Sequence, residues 1–165
     1  IAALGAGLAL LMDASAAHAC SCMSRPVSEL IESADVVFRG TVVAVDKPEP
    51  APSSADRARY TFDVTAVWKG DVHSSEAVFS PMDGASCGYN YTLDEEYVVY
   101  ARIREVPPDP VPLPSGPYVI PYAGTPDFPL LETGLCSGTL AATEAAEHLL
   151  LLGTSTMPAT STQEH

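Results

Sequence analysis

Four cysteines carry most of the chemistry open to this chain: Cys20 and Cys22, one residue apart, and the isolated Cys87 and Cys136. A Cys-x-Cys pair has several uses. As a redox centre it would need an accessible, low-pKa thiolate and a resolving partner, and no C-x-x-C or adjoining helix N-terminus supplies them. As half of a Cys₄ zinc site it would join Cys87 and Cys136, yet zinc ligands usually come in two short-spaced pairs and these two stand alone. As a lipidation site, Cys20 would have an aliphatic residue three positions earlier, where Ala17 stands. As disulfides, four cysteines allow three pairings. A Cys20–Cys22 ring would be tiny and strained. The other two pairings both tie the pair to distant parts of the chain, each long bridge contributing about 4 kcal/mol in the chain-entropy account.

Other reactive groups are sparse. Beyond Cys20 the histidines are His73, His148 and His165, all expected at the surface. No G-x-S-x-G, H-E-x-x-H or Gly-rich phosphate loop occurs. Glu95-Glu96 reads as a solvated hairpin end rather than a general acid/base pair. No enzyme is expected, and no cofactor of its own.

The placement of Cys20 gives it a further property. Residues 1–12 (IAALGAGLALLM) are apolar and Gly/Ala-rich, too short to span a bilayer. They are followed by Ala17-His18-Ala19, the A-x-A pattern of signal-peptide cleavage. The sequence is expected to start inside a signal peptide, with 1–19 removed. Cys20 would then be a new N-terminus, bearing a free α-amine beside its carbonyl and sulfur. The 165-residue chain has 8 Lys/Arg against 21 Asp/Glu, net −13. That balance repels phosphate backbones and anionic lipid, so nucleic-acid binding and peripheral membrane attachment are not expected. No second apolar run could span a membrane. A secreted or periplasmic/extracellular protein is expected, and a monomer; an even cysteine count in an exported chain reads as disulfides.

The elements that must position these groups follow from patterning. Pro26 opens a short helix, with Leu30 and Ile31 apolar and Glu29 and Glu32 outward, ending near Ser33. Strands are expected at 35–45, with Gly40 a bulge; at 59–69, where Tyr60, Phe62, Val64 and Ala66 alternate with polar residues; and at 76–80, 96–103 and 128–135, the last delivering Cys136. Residues 46–58 read as a loop. Six prolines between 107 and 117 exclude a helix or central strand there, so 105–117 is a stiff insertion, with a short edge strand at 118–122. A helix is expected over 141–152, with Ala142, Ala145, Ala146, Leu149 and Leu152 on one face and Gly153 closing it. Residues 154–165 read as a disordered tail. Five short strands with flanking helices describe a mainly β, closed or partly closed barrel over 20–153.

Taken together, CSC at 20–22, SADVVFRGTVV at 33–43, YTFDVTAVWKG at 60–70, SCGYNYTLDEEYVVYA at 86–101 and LCSG at 135–138 make a recognisable order. The sequence resembles the N-terminal domain of the tissue inhibitors of metalloproteinases, of netrin-like type, in its shorter single-domain bacterial form. The resemblance covers most of the chain after Ala19. It implies an OB-fold barrel and the bridges Cys20–Cys87 and Cys22–Cys136. It also implies an inhibitory ridge built from Cys20, Ser21, Cys22, Met23, Ser24, Ser86, Cys87 and Gly88. In that family the amine and carbonyl of the first cysteine chelate the zinc of a secreted metalloproteinase, and the next side chain, here Ser21, enters the specificity pocket. Zinc is thus implied only in the target enzyme. A netrin-like binding module that engages no protease is the alternative. The family's third bridge in this domain would need a cysteine where Glu32 stands.

Overall fold

The computed structural model describes residues 20–47, 57–82, 84–105 and 130–160. Helix α1 spans Val27–Ser33, and strands β1 Val36–Asp46, β2 Arg57–Lys69, β3 Ser75–Pro81 and β4 Glu96–Arg104 follow. Two short strands, β5 Leu130–Glu132 and β6 Leu140–Ala141, precede helix α2, Ala146–Leu152. The expected signal segment, most of the proline-rich insertion, the 118–122 strand and the last five residues lie outside the described residues.

The sheet closes on itself. β1 pairs antiparallel with β2, β2 with β3, β5 with β4, and β4 with β1, while β3 and β5 run parallel. The circuit β1-β2-β3-β5-β4-β1 is a five-stranded barrel of OB type, mainly β, with a helix before it and one after. β6 adds two residues beside β4, at Tyr97↔Ala141 and Val98↔Leu140.

The valine-dense runs have a simple cause. Val36, Phe38 and Val42 of β1 point into the barrel with Tyr97, Val99 and Ala101 of β4. The intervening Val37, Val98 and Tyr100 point outward, where Leu30 and Ala34 from the α1 segment and Ala145, Leu149 and Leu152 from the α2 segment cover them. Both faces of this wall are dry, so strict apolar/polar alternation is lost there. On β2, where one face meets water, alternation holds: Tyr60, Phe62 and Val64 are buried, Asp63 and Thr65 exposed. Within the barrel, Tyr91 plugs one end, its ring making edge contacts with Tyr60 (4.8 Å), Phe62 (5.0 Å) and Tyr97 (4.9 Å).

Gly40 does mark an irregularity: the β1–β2 register shifts between Arg39 and Gly40. A Cβ there would sit 2.8 Å from the Asp63 carbonyl oxygen, so only glycine allows the backbones this close.

Helix α1 lacks a third staple at Glu32, and cations hold its end instead. Lys69 Nζ donates to the carbonyls of Ile31 (2.9 Å) and Glu32 (3.0 Å), and Arg102 Nε donates to that of Ser33 (3.1 Å). These are last-turn carbonyls without helical partners, at the negative end of the helix dipole.

Three expectations are corrected. The last long strand, expected over 128–135, ends at Glu132 rather than Leu135, because the chain turns at Gly134–Ser137, closed by the Ser137 N–H to Gly134 carbonyl bond of 3.0 Å. The C-terminal helix starts later, after β6 and a 3₁₀ turn, Ala142–Glu144, and Ala146 on its expected apolar face is exposed. Residues 154–160 are not a loose tail: Thr156 and Val67 exchange backbone bonds of 2.7 and 2.9 Å, and Ala159 bonds to Val72 and Ser74. Ser/Thr-rich composition carries no sign of open backbone groups waiting on another element, and those groups are what order this segment.

His148 also departs from the surface expectation. It is half-buried on α2 against β4, its Nδ1 2.9 Å from the Tyr100 hydroxyl. Burial lowers its pKa below the usual 6.5, with Glu147 pulling the other way. The folded state therefore favours neutral His148, so this contribution to stability is complete above about pH 6.5 and is lost as pH falls through the folded pKa. Urea melts from pH 7.5 to 5 should show that loss, and His148→Gln should flatten it. Lys69→Met should destabilise the fold by about 1–2 kcal/mol in the same melts, since it orphans two helix-end carbonyls.

Candidate functional site

Three short segments meet at one edge of the barrel. The first is Cys20–Ser24, ahead of α1; the second is the loop 84–89 between β3 and β4; the third is the turn 134–137 after β5. Cys20 is bonded to Cys87 and Cys22 to Cys136, with Cα–Cα separations of 5.5 and 5.2 Å. These pairings are the ones the family resemblance implies. They span 67 and 114 residues of sequence.

Each loop has its own anchor besides the sulfur. The Tyr89 N–H donates to Ser80 Oγ at 2.8 Å, fixing the second loop on β3. Ser80 is fully buried, so its hydroxyl is where it is to serve that bond. The third segment is held by a repair in the sheet. β4 meets β6 at 97–98 and β5 at 102–104, leaving Tyr100 between them without a strand partner on that side. Thr139 Oγ1 accepts from the Tyr100 N–H at 3.0 Å, and Thr133 Oγ1 donates to the Tyr100 carbonyl at 3.1 Å. Ser137 Oγ joins the two threonines, at 2.9 and 3.0 Å. Cys136 lies between Thr133 and Ser137 in the sequence, so the network flanks it on both sides. Leu135 N–H then donates to the Cys87 carbonyl at 2.8 Å, linking the second and third segments directly. A Cβ on Gly134 would come within 2.9 Å of that carbonyl oxygen, which glycine avoids.

Cys87 adopts φ +60°, in the left-handed region, though it has a side chain. Such a conformation costs of order 1 kcal/mol or more and persists only where surroundings over-determine it. The bridge to Cys20 and the bond from Leu135 supply that determination.

Of the expected ridge residues, the structure brings all eight into this region. Ser21, Cys22, Met23, Ser24 and Cys87 are exposed, while Cys20 and Ser86 are half-buried. Gly88 is buried and supports the ridge from beneath. Met23 stands out, 85% exposed. Sequence reading missed Leu135, an exposed apolar side chain (43%) beside Cys136, because that stretch read as strand. It missed as well a groove of about 850 Å³ that runs from Ser86, Cys87 and Cys136 along β4 to Arg102 and Arg104.

The geometry narrows the chemistry. Every cysteine is bridged, so none offers a thiolate to a zinc cluster, and Cys20 has no free sulfur for a lipid thioether. Among the described residues no group of three or more His, Cys, Asp or Glu could hold a metal ion. His73 lies 3.5 Å from Glu76, exposed and away from the ridge. Glu95 accepts from the Tyr97 hydroxyl at 2.8 Å, and Glu96 pairs with Arg39 at 2.5 Å. Burial pushes the Tyr89 and Tyr100 phenols up to about 12, so both stay neutral and serve packing. What the ridge presents is main chain, serine side chains and the exposed Met23, on a backbone fastened by two bridges. Among the described residues no helix is long and apolar enough to cross a membrane. Two disulfides fit folding in an oxidising compartment.

Neither protein-family models nor characterised proteins give a match to this chain.

Cys22→Ser/Cys136→Ser should lower the unfolding free energy by about 4–5 kcal/mol, the loop-entropy value for a bridge of this span. Urea titration of the variant beside the parent measures it.

Proposed function

We propose that the chain is a secreted inhibitor of zinc metalloproteinases that acts through its processed N-terminus. Removal of residues 1–19 creates an α-amine on Cys20. That amine and the Cys20 carbonyl ligate the catalytic zinc of the target protease, displacing its water. Protease zinc sites keep one coordination position open, and a neutral amine is a suitable nitrogen ligand for it. Ser21 enters the specificity pocket beyond the zinc, with Met23, Ser24, Ser86 and Cys87 along the rest of the contact.

One observation carries this reading. The segment Cys20–Cys22 is fastened at both ends to two loops of a rigid barrel, with Ser21 exposed between the fastenings. A free peptide of the same sequence would lose its conformational freedom on binding; here most of that loss is met when the protein folds. Bridging also occupies the sulfur, so the amine and carbonyl remain the donors that Cys20 can offer.

A second reading keeps the scaffold as a netrin-like binding module that engages no protease. The observation in its favour is the cationic groove beside the ridge, a recognition surface that needs no zinc.

Protein beginning at Cys20 is compared with protein carrying one extra alanine before it, against a panel of zinc metalloproteinases. The extension turns the amine into an amide and leaves the fold unchanged. Inhibition by the first form alone is the expected result. Equal inhibition by both, or none by either, overturns chelation.

A further inference from the structure

The groove beside the ridge is charged against the trend of the molecule. In a chain of net charge −13, its lining holds Arg25, Arg57, Arg102 and Arg104 against Glu105 and Glu132. Half of the chain's 8 Lys/Arg thus face one recess. Glu132 is shared: Arg57 lies 2.5 Å from one of its oxygens and Arg104 pairs with the other, so one carboxylate serves two guanidiniums. Arg102 spends its Nε–H on the Ser33 carbonyl, and among the described residues no carboxylate pairs with its terminal nitrogens.

Spacing adds to charge. Arg102 and Arg104 sit two apart on β4, so both side chains leave the same face, roughly 7 Å apart along the strand. Alternate side chains of an extended peptide have that same repeat. Leu135, 43% exposed, adds apolar surface to the groove lining. A single small anion would use a fraction of about 850 Å³.

We infer that this groove receives an extended segment of the partner protein with carboxylates at alternate positions. This rests on the reading of the ridge as a protein-binding surface, though not on zinc chelation. The groove shares Ser86 and Cys87 with the ridge and takes in Cys136, the bridge partner of Cys22, so one partner seated on the ridge reaches both. Guanidiniums suit this role because their planar fork pairs with carboxylates through two parallel bonds. Local positive charge in an otherwise acidic molecule also steers such a partner to this edge and away from the rest of the surface.

The test uses fluorescent pentapeptides and anisotropy at low ionic strength, on the chain beginning at Cys20 and on its alanine-extended form. Glu-Ser-Glu-Ser-Glu is expected to bind both forms equally and several-fold better than Glu-Glu-Glu-Ser-Ser of the same charge. Arg102→Gln/Arg104→Gln should weaken binding at least about tenfold, and Arg102→Lys/Arg104→Lys should retain most of it. Arg59→Gln, outside the groove, should change nothing. Affinity should fall as salt shortens the screening length. No binding of the alternating peptide, equal binding by the glutamine double variant, equal binding of the two peptides, or displacement by inorganic phosphate at matched charge would each overturn the proposal. Because no zinc is present, failure of the chelation reading shows in the protease assay and leaves this result untouched.

Discussion

Two covalent constraints organise this molecule: the bonds from Cys20 to Cys87 and from Cys22 to Cys136. A five-residue segment ahead of the first helix has little apolar surface to bury. Met23 is almost fully exposed, and Ser21 and Ser24 are exposed too. Without the bridges, ordering its backbone would cost about 1–2 kcal/mol per residue with no burial to offset it. Each bridge contributes about 4–5 kcal/mol by closing a long loop, against a net stability of 5–15 kcal/mol for a typical domain. The same bonds that fix the ridge therefore supply a large share of what keeps the fold together.

The barrel is built to receive those bonds. Its aromatic interior, with Tyr91 at the plug, sets the wall against which the loops stand. The loops are then fixed by polar groups that complete unfinished backbone pairing, Ser80 for one and the Thr133–Ser137–Thr139 cluster for the other. Ser80, Thr133 and Thr139 are buried and each is hydrogen-bonded, which limits the ambiguity an unsatisfied network would introduce. The strained backbone at Cys87 is tolerated because the bridge to Cys20, the bond from the Leu135 N–H and the Cys87 N–H to Gly84 carbonyl bond converge on it. A surface of main-chain groups needs such support, since main chain can recognise a partner only where its conformation is fixed beforehand.

Much of the fold was legible in the residues. The half-buried alternation of β2, the turn signals and the dense valines of β1 and β4 placed the four longest strands within a residue or two. The glycine within β1 marked its bulge. The ridge was legible only in part. Cys136 was placed at a strand end, whereas Gly134–Ser137 is a turn, and the exposed Leu135 inside it looked like a strand residue. The groove arginines gave no signal, because Arg25, Arg57, Arg102 and Arg104 are scattered along the sequence and only folding gathers them.

Local physics thus determined the elements of this protein. Side-chain period, β-branching, proline and glycine act over a few residues, and those effects can be read without knowing what lies nearby in space. Partnership was decided by the tertiary structure. Four cysteines left two long-range pairings open on the residues alone, and the choice rests on which loops the closed barrel carries to the same edge. The order of residues 154–160 and the half-buried state of His148 have the same origin. Each depends on an open backbone group or a hydroxyl of another element, Val67 and Val72 in one case and Tyr100 in the other. Those contacts form across 48 or more residues of chain, beyond the reach of any local pattern.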